Sequence, residues 1–170
     1  EHVERLVNMG IRSLKIEGRT KSHYYVARTA QVYRRAIDDA LAGRPFDASQ
    51  LGTLENLSTR GYTDGFLQRH PDQDYQNYLE ASSSSNRQRF VGELTGYDPA
   101  SGLAEVAVKN KFAAGDDMEL ILPAGNQSFH LTELYDMHGQ RMDEVPGGGY
   151  RVQIPLQGGD YEMGLLARRL

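Results

Sequence analysis

This chain of 170 residues contains no cysteine. That excludes a disulfide framework, a thiolate nucleophile and iron–sulfur ligation by its own side chains. It has no apolar run near the ~18 residues that a membrane-spanning helix needs, and no signal peptide is visible. A cytoplasmic location with no membrane partner is therefore expected. Its histidines, His2, His23, His70, His130 and His138, show no metal-ligand spacing, so no metal site is expected, and "HPDQD" (His70 to Asp74) reads as a capped turn. "PGGGY" (Pro146 to Tyr150) lacks the Lys-Ser or Lys-Thr of a phosphate-binding loop. No Gly-x-Ser-x-Gly nucleophile elbow is present.

What is there has the composition of a globular protein, 39% hydrophobic and 25% charged. The length allows one domain, or a small domain plus part of another. The net charge of −4 hides a reversal. Residues 11–35 carry seven basic side chains (Arg12, Lys15, Arg19, Lys21, Arg28, Arg34, Arg35) against Glu17 alone. From residue 87 onward, eight basic residues face twelve acidic ones. An anionic partner should meet the N-terminal segment first.

The chain opens on Glu1, inside what reads as a helix: Val3, Leu6 and Met9 at helical spacing, with Gly10 as a stop. A piece of a longer protein is expected. "IRSLKIEG" then has a strand's period of two, Leu14 and Ile16 on one face, Lys15 and Glu17 on the other. Ser22 is placed to cap a helix running to about Leu41, whose apolar stripe is Val26, Ala30, Tyr33, Ile37 and Leu41. Gly43 and Pro45 end it. Strand, loop and helix form an α/β unit whose strand must pair elsewhere.

Residues 46–87 read as a connector, with a short helix near Leu51–Leu57, a Gly-rich turn and the polar hinge "ASSSSN". Beyond it, six short strands alternate with turn signals: "RFVGELTGY", "LAEVAVK", "DMELILP", "FHLTELYD", "YRVQIPL" and "GLLARRL". A small closed all-β barrel over 88–170 is the expected solution, because closure removes exposed edges. The fold class is thus α+β.

Three places invite chemistry. The first is the "SLKIEGRTKS" turn, where ligands gather beyond the carboxyl end of a parallel strand. There Glu17 is a candidate base or orienting group, and Lys15 and Arg19 are candidate anion holders. The competing reading is a solvated turn with an ordinary Lys–Glu contact. Ile16 to Arg19 also spells a familiar engineered cleavage linker, but its fit between a strand pattern and a helix stripe argues for native sequence. The second is Arg28, which lacks an acid four residues away in either direction, whereas Arg34 and Arg35 have Asp38 and Asp39. With Arg19 and Lys21 it would make a phosphate-binding corner; a solvated basic face is the alternative. The third is "VKNKF", where Lys109 and Lys111 beside Phe112 offer charge plus stacking to nucleic acid, or else an ordinary strand-to-turn segment.

The stretches "SLKIEGRTKSHYYVARTAQVYRRAIDDALAG", "RGYTDGFL" and "VAVKNKFAAGDDMELILP" resemble the collagenase-like peptidase family U32, in its bacterial tRNA-hydroxylating branch. The resemblance runs through essentially the whole chain. It implies a parent with an N-terminal α/β (TIM-like) barrel catalytic region, of which residues 1–45 are the closing strand–helix segment, and a C-terminal β-barrel resembling those of translation factors. It further implies 5-hydroxylation of the tRNA wobble uridine, using prephenate and an iron–sulfur cluster whose cysteines lie upstream. The implied partners are tRNA and the upstream catalytic domain. No cofactor is expected on this chain. The rival readings are an accessory domain of a peptidase and a structural module that self-associates through strand edges.

Overall fold

The computed structural model describes residues 2–55, 57 and 88–170. The expected Gly-rich turn, the "HPDQD" turn and the "ASSSSN" hinge lie outside these residues. The chain divides into two compact units, Glu1–Asn86 and Arg87–Leu170.

In the first unit, α1 (Val3–Asn8) ends at Met9, and Gly10 takes a positive φ of 81° to turn the chain out of the helix. The long helix α2 (His23–Leu41) starts where the sequence places it: the Ser22 hydroxyl accepts a bond from the Tyr25 amide at 3.2 Å. Gly43, at φ 67°, ends it. A short α3 (Ser49–Glu55) follows. Both α1 and α3 pack on α2.

The buried face of α2 is not the one its apolar residues suggested. Tyr24, Arg28, Val32 and Ala36, four residues apart, are buried together with Thr29. Val26 is 40% exposed and Leu41 69%. Tyr24 and Arg28 precede Val26 and Ala30 by two residues, roughly 200° around the helix, whereas Val32 and Ala36 precede the half-buried Tyr33 and Ile37 by one, roughly 100°. Packing by α1 and α3 therefore rotated the buried face away from the expected one, leaving Val26, Ala30 and Leu41 exposed. The expected strand over 11–18 is also absent: this segment has no regular secondary structure, and Ile11 and Ile16 are exposed. A strand exists by ladder bonds to a neighbour, and none is supplied among the described residues.

The second unit is antiparallel throughout. Its strands are β1 (Gln88–Asp98), β2 (Leu103–Val108), β3 (Phe112–Ala113), β4 (Asp117–Leu122), β5 (Gly125–His130), β6 (Tyr135–Asp136), β7 (Glu144–Val145), β8 (Arg151–Pro155) and β9 (Leu165–Arg169). Seven form one sheet in the order β5-β4-β9-β1-β2-β8-β6, and β3 pairs with β7 separately. Five of the six expected strands appear close to their expected limits. The sixth, 129–136, breaks in two because Leu131 and Leu134 leave the sheet to enter the core. Nor is the barrel closed: β5 and β6 end the sheet without bonding to each other. The two-residue β6 is too short to complete a ring, and β5 is polar and exposed along most of its length.

Alternation builds the core. In β2, Ala104, Val106 and Val108 point inward, and Val106 and Ala104 sit opposite Val152 and Ile154 of β8. They join Val91, Phe112, Met118, Leu131, Leu134, Val145 and Leu166 in one cluster. Each large aliphatic side chain buried there contributes about 1.5–3 kcal/mol of transfer free energy.

Candidate functional site

The basic turn of the first unit is local in construction. Without a ladder to hold residues 11–18, its shape is set by short-range contacts. The Glu17 carboxylate accepts a bond from the Arg19 amide at 3.2 Å, closing a tight turn at Gly18. The Lys15 ammonium lies 3.8 Å from the other Glu17 oxygen, with both side chains largely in solvent at 88% and 72% exposure. Gly18 lies close against the helix behind it, since a Cβ there would stand 2.8 Å from Val26 Cγ2. After the turn, Lys21 places its ammonium 5.4 Å from the centre of the Tyr25 ring. Arg12 and Arg19 are exposed.

The rest of the basic stretch is neutralised. Arg34 forms a two-point pair with Asp38, as its spacing suggested, and that pairing holds the Asp38 carboxyl below the usual range. Arg35 pairs not with Asp39 but with Asp47 at 3.0 Å, and Asp39 instead binds Arg44 at 2.7 Å. The Ser49 hydroxyl and amide, more than Arg35, hold Asp47 in its charged form. Positive charge is consequently concentrated at Arg12, Lys15, Arg19 and Lys21.

Arg28 does not belong to that group. It is 3% exposed, on the α2 face covered by α1 and α3, rather than on a solvated basic corner. Its sequence neighbours gave no sign of this, because tertiary packing chose the face. Lys109 and Lys111, in the second unit, are paired: Lys109 with Glu93 at 2.9 Å, Lys111 with Glu144 at 2.6 Å. Phe112 is fully buried and offers no stacking surface. The combination of charge and aromatic ring expected in "VKNKF" is therefore absent.

Among the described residues, no group of three His, Cys, Asp or Glu side chains is placed to hold a metal ion. With no cysteine in the chain, its residues do not fit an iron–sulfur cluster. No described helix is long and apolar enough to cross a membrane. What the corner can do is hold an anion: several cations on an exposed turn, with one carboxylate oriented by a backbone amide.

Comparison with known proteins extends this. The profile of Peptidase family U32 matches residues 1–77, and that of the Peptidase family U32 C-terminal domain matches residues 86–168. The chain is 60% identical over 155 residues to tRNA hydroxylation protein P of Escherichia coli (strain K12), covering 91% of this chain and 34% of that protein. It is 55% identical over 152 residues to the Haemophilus influenzae protein of the same name, covering 89% and 33%. A collagenase of Porphyromonas gingivalis is 25% identical over 160 residues, covering 91% of this chain and 44% of the relative. The C-terminal domain of a Geobacillus thermoleovorans U32 peptidase aligns at a TM-score of 0.44 and 26% identity, over 48% of this chain and 91% of that one. The chain spans about a third of the length of the tRNA hydroxylation proteins it matches.

Proposed function

The chain belongs to peptidase family U32, and from that footing we propose that it acts as the C-terminal part of a cytoplasmic protein that hydroxylates the wobble uridine of tRNA at its 5-position. The observation that carries this reading is 60% identity to tRNA hydroxylation protein P across 91% of the chain, against 25% to a collagenase. Residues 1–45 would be the closing segment of a TIM-like catalytic barrel, with residues 11–18 gaining their ladder from upstream strands. The alternation of half-buried Leu14 and exposed Ile16 with exposed Lys15 and Glu17 suits that placement. The iron–sulfur cluster and prephenate would be held mainly by the rest of the parent, since this chain supplies no thiolate.

Within such a protein, Lys15, Arg19 and Lys21 would contact tRNA phosphates or the carboxylates of a dicarboxylate substrate. Glu17 would orient that turn through the Arg19 amide. Lys109 and Lys111 would contribute only after exchanging Glu93 and Glu144 for phosphate. Arg28 serves as a packing residue.

The test is complementation of a modification-deficient bacterial strain with the full-length parent. Nucleoside mass spectrometry reads 5-hydroxyuridine in its tRNA. The intact parent should restore the nucleoside, and Arg19→Gln with Lys21→Gln should lower it at least fivefold without loss of soluble protein. Failure of the intact parent to restore it, alongside cleavage of denatured collagen by the same protein, would establish the peptidase reading instead.

A further inference from the structure

In the second unit, an open groove of about 590 Å³ lies between the end of β1 and the turn that leads into β9. Nothing in the proposed tRNA chemistry uses it. Its floor is aromatic: the rings of Tyr97 and Tyr161 meet edge to face, 4.8 Å apart and at 72°, and the Tyr97 hydroxyl is tied to the Leu156 carbonyl at 3.5 Å. Burial pushes the Tyr161 hydroxyl above its ordinary pKa, which keeps that hydroxyl neutral. One wall is glycine. A Cβ at Gly159 would come within 3.3 Å of the Tyr161 ring, so the wall leaves that ring uncrowded.

The rim carries two further features. Met163 is 77% exposed and holds φ at 59°, the only positive φ of a non-glycine residue among those described. Such a conformation costs free energy, and this flexible thioether side chain lines the same groove as the two rings. The charged residues that line the groove, Asp160 and Glu162, are both acidic and both exposed; no Lys, Arg or His lines it.

We propose that this groove docks a cationic segment of a partner protein, in which Arg or Lys alternates with an apolar or aromatic side chain. The apolar side chain seats against Tyr97, Tyr161 and Met163, and the cation meets Asp160 and Glu162. Nucleic acid is disfavoured here, because a phosphate backbone would meet only negative charge. The groove thus separates two recognition tasks on one chain: anions at the N-terminal turn, cationic polypeptide at the Tyr97–Tyr161 face.

The experiment titrates the whole isotope-labelled chain with a synthetic peptide, acetyl-Gly-Arg-Tyr-Gly-Arg-Leu-Gly-amide, and follows backbone amides by NMR. Saturable shifts should map to Gly96, Gly158, Gly159 and Met163, and should weaken with salt. Asp160→Asn with Glu162→Gln keeps the Asp160 side-chain acceptor for the Glu162 amide, so it should leave the rest of the spectrum unchanged and weaken binding about fivefold or more. The proposal is overturned if the amides do not shift, if that double substitution leaves affinity unchanged, or if a peptide with Glu in place of Arg binds equally. Shifts of the same amides by oligouridylate would overturn it in favour of RNA. Concentration-dependent shifts matched by dimerisation in sedimentation velocity would assign the groove to a second copy instead.

Discussion

Gly18 rests so closely on Val26 that a Cβ at position 18 would stand 2.8 Å from Val26 Cγ2. This approach seats the basic turn on helix α2. Gly18→Ala should cost about 1 kcal/mol, because Val26 is 40% exposed and has room to yield. Chemical denaturation followed by far-ultraviolet circular dichroism reads the loss. Val26→Ala in the same molecule should restore most of it; no restoration would mean that the glycine matters for another reason.

Ser22→Ala removes the acceptor for the Tyr25 amide at the start of α2. The expected loss is about 1 kcal/mol, and Ser22→Asn should recover it to within a few tenths. Amide hydrogen exchange over residues 23–26 should speed up in the alanine variant and return to normal in the asparagine variant.

In the second unit, Gly92→Ala should be more damaging. The added Cβ would lie 2.5 Å from Val106 Cγ1 and 3.1 Å from the Ala107 carbonyl oxygen, at a residue that pairs with both β2 and β9 and where the register with β9 shifts. A backbone oxygen cannot step aside as the Val26 methyl can. A destabilisation of about 2–3 kcal/mol is expected, read as a lowered denaturation midpoint for this unit.

Asp98 and Asp136 should govern part of the acid response. Asp98 is held below the ordinary carboxylate range chiefly by the Ser101 hydroxyl and then the Ala100 amide, Asp136 by the amides of Gln140 and His138. A depressed carboxyl contributes stability that is fully present above its unfolded pKa, about 3.9, and is lost as pH falls through the folded value. Stability should therefore fall below about pH 4. Asp98→Asn and Asp136→Asn should each flatten that fall, seen as a smaller difference in melting temperature between pH 5 and pH 3. An unchanged difference would assign the acid response to other groups.

Much of the β unit was legible without coordinates, because its information is local. Period-two burial in β2, glycine-rich turns and polar breaks mark where strands begin and stop. What could not be read was where Leu131 and Leu134 turn inward, since a buried coil and a buried strand carry the same apolar residues. The candidate site was legible only in part. The cations of the turn were visible as charge, but the burial of Arg28, the pairing of Lys109 and Lys111 with Glu93 and Glu144, and the Tyr97–Tyr161 groove all join residues distant in sequence or depend on the neighbours of a helix face.

The order of residues alone was enough to specify the cap at Ser22, the stop at Gly43, most strand positions and the absence of thiolate chemistry, since each depends on side chains within a few residues or on composition. Long-range contact had to choose which side of α2 faces inward, whether the sheet joins its ends, and which cations keep their charge unopposed. Those choices rest on burial and on ion pairing across the fold, whose free energies are assigned only when distant segments meet.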